Sequence, residues 1–308
     1  MRRHSVLVFV VAMTSLIVMS CDQQPASTTT RGSGRVECDE SLFPVMKFQA
    51  EDFHNTYTEA TITVRSVEAR EAVVDFVNDS IRVIVLGRSL NPDEVDYLKK
   101  ANIEYEGYKV AVDAIAVIIN TQHADSTLRI GEVDSIFSGT LTRWNTAKKP
   151  LMKAYVGDIN SSTDEVFRQS ILRGRPFGPP VARVKSSTDL LEAVKKNPDA
   201  IGLVGLSWLH GHEGEVRVCR LGGGTYQPDS TEVPGQFFSP AQAHVLRHYY
   251  PIWRDVYMYT REPRRNEVTY GFIAYVKDRK GQQNFINHGL VPGAQPVRIV
   301  ETTSQKVQ

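Results

Sequence analysis

The segment Asp158-Ile159-Asn160-Ser161-Ser162-Thr163-Asp164-Glu165 places three consecutive hydroxyl residues between a strand-like run and a helical one. Capping a helix needs one such hydroxyl. Three of them, set against the unpaired N–H groups and the positive dipole end of a helix, form a cradle for an oxyanion. Arg88, in Gly87-Arg88-Ser89-Leu90 just beyond the apolar run Ile81–Leu86, is a second candidate. Ligand crevices in open α/β sheets lie past the carboxyl ends of strands. A guanidinium there binds an oxyanion through two parallel hydrogen bonds. His210 and His212 lie in a Gly-bounded loop, and His244 and His248 have helical i,i+4 spacing. That spacing can present two ligands to zinc, but no third ligand stands out, so no metal is expected. Gly222-Gly223-Gly224-Thr225 lacks the Gly-Lys-Ser/Thr ending of a phosphate loop, and Gly205-Leu206-Ser207-Trp208-Leu209 lacks the second glycine of a nucleophile elbow. With no Ser/His/Asp or Cys/His set to be read, the chain is expected to be a binder rather than an enzyme, and to need no cofactor.

The elements that must hold these residues alternate between two periods. Ala60–Arg65 alternates apolar and polar as a strand does, and Val67–Asn78 carries a helical face. Ile81–Leu86 suits a buried parallel strand. Asn91 caps a helix running to Ala101, with Pro92 in its first turn. Val110–Asn120 is the longest apolar strand. A short extended piece and a helix follow in Ser126–Ile136. Next come a strand at Lys153–Val156, helices at Ser161–Leu172 and Ser187–Asn197, and strands at Ala200–Leu206 and Val216–Leu221. The chain returns through a strand at Asp255–Thr260, helical segments at Thr269–Val276 and Gln282–Asn287, and a last strand at Val297–Val300. This alternation predicts an α/β fold with mostly parallel sheets. The long Gly/Pro-rich stretch Gly222–Phe238 reads as a surface excursion.

Length and composition limit the function. The chain has 308 residues, 41% of them apolar, enough for two domains or one large one. Collagen, coiled-coil and wholly disordered classes are excluded. With 36 Lys+Arg against 35 Asp+Glu there is no basic excess for nucleic acid. Arg2 and Arg3, then the apolar run Val6–Val18, make a secretory signal over residues 1–20, with Cys21 as the residue to be lipidated. Residues 21–35, polar and rich in Ser, Thr and Gly, read as a flexible tether. Three cysteines are too few for a disulfide framework. Cys38 and Cys219 either pair in this oxidising compartment or sit as separate buried thiols.

Several motifs in fixed order carry a family resemblance. They are Asp39-Glu40-Ser41-Leu42 with Pro44, Ser66 ahead of the helix from Val67, Gly87-Arg88-Ser89-Leu90, and Val133–Leu141 with Trp144. Asn160-Ser161-Ser162-Thr163 with Phe167, Asn197–Gly202, Tyr250-Pro251 and Gly289–Pro292 follow. Over most of Cys38–Val300 the chain resembles the PstS-like substrate-binding proteins of phosphate ABC transporters, in the type II periplasmic-binding-protein superfamily. The resemblance implies two α/β lobes with a ligand cleft between them. Lobe one would span 36–112 and 257–302, and lobe two 113–256, with hinge strands near Val110–Ile115 and Asp255–Tyr259. It implies a lipid-anchored, extracytoplasmic, monomeric receptor that passes inorganic phosphate to permease subunits. The implied ligand-binding residues are Ser41, Leu42, Ser66, Asn160, Ser161, Ser162 and Thr163. Two positions depart from the family pattern. Gly157 stands where an Arg is usual, and Arg88 where an Asp is usual, so Arg88 is expected to supply the positive charge. Glu40, Glu68 and Asp164 are then the candidates to accept a proton from hydrogen phosphate. Sulfate or a phosphate ester is the alternative ligand.

Overall fold

The structure, a computed structural model, describes residues 27–123, 126–144, 151–222, 236–262 and 265–293. The chain enters through β1 (Gly32–Asp39), whose last four residues are buried. A short 3-10 turn at Glu40–Leu42 leads into α1 (Phe43–Thr56), with Pro44 in its first turn where a missing N–H costs nothing. This helix crosses over to β2 (Ala60–Val67), which pairs in parallel with the whole of β1. Next, α2 (Ala69–Val77) carries the chain to β3 (Val83–Leu86), parallel to β1 on its other side. A capping box closes the start of α3 (Pro92–Lys100): Asn91 accepts from the Glu94 N–H, and the Glu94 carboxylate accepts from the Asn91 N–H.

The strand β4 (Glu106–Ile119) then joins the two halves of the molecule. Its residues from Val110 to Ile119 are all buried. Beyond it lie β5 (Thr127–Arg129), α4 (Ile130–Phe137), β6 (Lys153–Val156), α5 (Ser162–Ser170), β7 (Ala182–Arg183), α6 (Ser187–Lys196) and β8 (Ala200–Gly205). After a 3-10 turn at Leu206–Trp208 come β9 (Arg217–Val218), β10 (Arg220–Gly222), β11 (Phe237–Phe238) and α7 (Gln242–Leu246). The chain returns along β12 (Trp253–Thr260) and finishes with α8 (Val268–Lys277), α9 (Arg279–Asn287) and β13 (Val291–Pro292).

The main sheet runs β2-β1-β3-β12-β4-β8-β6-β7. From Glu106 to Ala114, β4 pairs with β12; from Ile115 to Ile119 it pairs with β8. One strand leaves the first half and the other comes back, so the two run antiparallel. The sheet is therefore mixed rather than mostly parallel. Parallel βα pairing holds within the halves, between β1, β2 and β3 and between β6, β7 and β8. The returning strands at the junction are antiparallel.

Strand β1 begins at Gly32, inside the stretch expected to be a tether, because the backbone of Gly32–Arg35 continues the ladder with Ala60–Thr63. The expected strand at Val216–Leu221 is two short strands on either side of Cys219. The signal segment, Cys21, residues 223–235 and the Val297–Val300 strand lie outside the described residues. Cys38 and Cys219 are both buried, and no disulfide joins them. No helix among the described residues is long and apolar enough to cross a membrane.

Aromatic packing seats α5, the helix that carries the hydroxyl cluster. The Phe167 ring lies 5.0 Å from that of Phe137 on α4 and 5.6 Å from that of Phe177. Phe167 is fully buried, and truncating such a ring loses both its burial and its contacts. Phe167→Ala is expected to lower unfolding stability by about 3–5 kcal/mol, measured by urea denaturation.

Candidate functional site

Two oppositely charged residues sit at the centre of the molecule. Asp113 on β4 and Arg254 on β12 face each other directly in the antiparallel ladder, so their side chains project from the same face. Their side chains are 0% and 1% exposed. Arg254 donates from Nε and Nη2 to Asp113 Oδ2 at 3.0 and 2.7 Å. The other Asp113 oxygen accepts from the Leu206 N–H at 3.3 Å. Burial pushes the Asp113 carboxyl above its usual range, while Arg254 and the backbone N–H groups of Ala114 and Leu206 pull against that rise.

The rest of the guanidinium gathers hydroxyls from both lobes. Nη1 donates to Ser162 Oγ at 2.9 Å and to Thr163 Oγ1 at 3.0 Å, both at the start of α5. Nη2 donates to Ser41 Oγ at 2.9 Å, in the turn after β1. Asp39, the last residue of β1, completes the group and is fully buried. Its Oδ1 accepts from the Ser41 N–H at 3.0 Å and the Ser41 hydroxyl at 2.8 Å. Its Oδ2 accepts from the Ser162 N–H at 3.3 Å and from the Ser162 hydroxyl. Each carboxylate oxygen thus receives one amide and one hydroxyl, from opposite sides of the cleft.

Two glycines allow this close approach. A Cβ on Gly87 would lie 2.6 Å from Ser162 Oγ and 2.8 Å from Arg254 Nη1. One on Gly205 would lie 2.7 Å from the Ser41 carbonyl oxygen.

The structure brings three of the expected ligand-binding residues together, Ser41, Ser162 and Thr163, and gives the others different surroundings. Ser161 caps α5, accepting from the Asp164 N–H at 3.1 Å. Asn160 accepts through its carbonyl from the Arg70 N–H at 3.2 Å, a contact between the lobes. Leu42 is buried at the start of α1. Ser66 is exposed on β2. Arg88 is buried, but its charge is already met. It makes a bidentate pair with Glu94 at 2.8 and 2.7 Å, and its Nε lies 2.8 Å from Glu165 on α5. It ties lobe one to lobe two beside the hydroxyl group.

Of the carboxylates expected to accept a proton, Asp164 pairs with Arg168 and Arg183 at 2.6 and 2.7 Å. Glu40 accepts from the Ser187 N–H at 2.8 Å and its hydroxyl at 2.7 Å, capping α6 from across the cleft. Glu68 stands at the start of α2 with Oε2 buried and without a hydrogen-bond partner. Burial first, then the charges of Asp39, Asp158, Glu40 and Glu71, push its carboxyl up to about 8.

The histidines have separate settings. His212 lies 3.3 Å from Glu215, His244 bonds the Ser239 carbonyl, and His248 stacks on Trp253. Among the described residues no cluster of His, Cys, Asp or Glu is arranged to hold a metal ion.

Asp39, Asp113 and Arg254 are the functional residues that sequence reasoning passed over. A signal for one pair was present: Asp113 is the only charge in the apolar run Val110–Ile119. A charge in a buried strand requires a counter-ion on a neighbouring element.

Two α/β lobes joined through β4 and β12, with a buried group of hydroxyls, amides and one guanidinium between them, have the architecture of a periplasmic-binding-protein fold. Residues 23–280 match the model of the PBP superfamily domain, and the chain belongs to that family. It is 23% identical to the protein SphX of Synechococcus elongatus over 85% of this chain and 77% of that one. It is 21% identical to the phosphate-binding protein PstS of Pseudomonas aeruginosa over 91% of this chain and 88% of that one. A phosphate ABC transporter substrate-binding protein with bound phosphate, from Clostridium perfringens, superposes with a TM-score of 0.71 at 18% identity, covering 85% of this chain and 99% of that one. These likenesses establish the two-lobed fold.

Two outcomes follow from this geometry. Arg254→Met leaves Asp113 buried and unpaired, and should cost about 3–5 kcal/mol of stability, read from chemical denaturation. Glu68 keeps its proton in the folded chain up to about pH 8, whereas its unfolded value is 4.5. The folded state therefore binds the extra proton in that window, and stability falls as pH rises through it. Glu68→Gln should remove that part of the slope and raise stability at pH 8.5 by about 1 kcal/mol, checked by melting temperature against pH.

Proposed function

We propose that the chain is an extracytoplasmic receptor that binds inorganic phosphate between its lobes and delivers it to the permease subunits of an ABC transporter. The observation that carries this reading is the convergence of Ser41 and Ser162 on the two oxygens of the Asp39 carboxylate, with the Arg254 guanidinium donating to Ser41, Ser162 and Thr163 beside it. The start of α5 supplies backbone N–H groups and the positive end of its dipole. Arg254 supplies the cation, from strand β12 rather than from Arg88, which was expected to provide it. Ser41, Ser162, Thr163 and Arg254 are the direct contacts. Leu42, Asn160 and Ser161 shape the two helix starts. Arg88 acts through closure, by its pairing with Glu165. Each hydrogen bond to a charged group contributes about 1.5–3 kcal/mol, so a few of them support micromolar binding after the costs of association. The phosphate-binding relatives and the fold favour this ligand and a transport role over catalysis. Residues 1–20 as a signal and Cys21 as a lipid attachment point would hold a monomer at the envelope surface, with residues 36–112 and 257–302 as lobe one and 113–256 as lobe two.

One feature discriminates phosphate from sulfate. Asp39 and Glu40 reach across to the starts of α5 and α6. An anion that carries a proton can donate it to a carboxylate, whereas sulfate has none to give and is repelled. Calorimetric titration of protein stripped of bound anion should show phosphate binding and no sulfate binding. The phosphate affinity should rise as pH falls through about 8, because Glu68 then loses its negative charge. Thr163→Val should weaken phosphate binding by roughly tenfold or more. Absence of a phosphate response, or equal responses to both anions, would remove phosphate as the ligand.

A further inference from the structure

The anion seat is filled by the protein itself. Asp39 is fully buried, and its two oxygens take the amide and hydroxyl of Ser41 and the amide and hydroxyl of Ser162. Capping the turn at Glu40–Leu42 requires only Oδ1, which already holds the Ser41 N–H. The contacts of Oδ2 go elsewhere, to the first turn of α5, 123 residues away in sequence and in the other lobe. That helix start is where the proposed reading places the external anion, and the argument rests on that reading.

Arg254 reinforces the arrangement. It touches Ser41 and Ser162, the hydroxyls that hold the carboxylate, and Thr163 next to them. Glu40 on Ser187, Arg88 against Glu165 and Arg70 on Asn160 join the lobes around it. Gly87 and Gly205 leave no room for a side chain against this group.

We infer that Asp39 is an internal ligand: its carboxylate occupies the anion cradle, clasps the lobes shut without an external anion, and must be displaced before one can bind. The displaced carboxylate remains beside the cradle, where a proton on the incoming anion would meet it. Binding then proceeds from a closed resting state. The apparent affinity is the intrinsic affinity reduced by the fraction of molecules in which Asp39 has left the seat. Removing the carboxylate should both open the resting state and tighten phosphate binding. A carboxylate that served only to recognise phosphate would give the opposite result, since its loss would weaken binding.

The test uses the mature chain with Cys21→Ser, stripped of anion by partial unfolding and dialysis. Spin labels are attached through Lys100→Cys on α3 and Lys196→Cys on α6, both exposed and in different lobes. Pulsed electron-electron distance measurements and calorimetry with inorganic phosphate are made on this chain and on its Asp39→Ser variant. The expected result is a short, narrow interlobe distance in the stripped parent chain that phosphate barely changes. Asp39→Ser should show a longer and broader distribution that collapses on adding phosphate, with binding at least tenfold tighter than the parent. An open stripped parent that closes on phosphate, or an Asp39→Ser chain that stays closed or binds phosphate more weakly, overturns the inference. If Asp39→Ser opens while neither chain binds phosphate, the internal clasp stands and the phosphate reading falls. Should Asp39→Ser fail to fold, Asp39→Asn keeps the volume and loses the charge, and the stripped parent's own distance still decides the question.

Discussion

The buried pair of Arg254 and Asp113 governs the arrangement of the cleft. Each group alone would be intolerable where it lies, since an isolated charge taken from water costs far more than a single hydrogen bond returns. Together, facing each other across the ladder of β4 and β12, they neutralise one another. Asp113 uses only one oxygen on the guanidinium, and the remaining donors of Arg254 are left to reach Ser41, Ser162 and Thr163. A structural requirement of β4 and β12 thus sets guanidinium donors against these three hydroxyls.

The contacts across the cleft are built largely from carboxylates of lobe one. Asp39 meets the start of α5 and Glu40 the start of α6. Both ends are positive poles of helix dipoles, where carboxylates are favoured. Arg88 adds the reverse pairing, a lobe-one cation against Glu165 of α5. These interactions are local and directional, and each can be made only when the lobes are together. Glu68 is the exception, a carboxylate that closure buries near other acids without a partner.

Arg88 shows how one residue type can suit two roles. At the end of β3 it stands where a ligand-binding group belongs by topology, and it is buried as such a group would be. Its Nη1 and Nη2, however, are taken by the bidentate pair with Glu94, and its Nε faces Glu165. Glu94 is itself held in place by the capping box of α3. Helix capping therefore fixes the carboxylate, the carboxylate fixes the guanidinium, and the guanidinium fixes its distance from α5. Its contacts join the end of β3 to α3 and α5.

Periodicity in the sequence located the longer elements from β2 onward, because burial of one face leaves a pattern in consecutive residues; it did not mark β1, α1, α7 or the short strands β7, β11 and β13. Asn91 with Glu94, and Ser161 ahead of Asp164, announced their helix starts through side chains that bond a few residues away. Ser162 and Thr163 were legible as candidate anion donors for the same reason, since they belong to a local helix-start motif, whereas Ser41 came only from the family resemblance. The antiparallel junction was not readable, because the direction of β12 relative to β4 depends on a return path of well over a hundred residues. The partners of Arg88, Asp39 and Arg254 were likewise hidden. Arg254 meets Asp113 from 141 residues away, and Asp39 meets Ser162 from 123. Local sequence determined which groups could donate or accept; only tertiary packing, which decides which charges are buried side by side, determined which of them do.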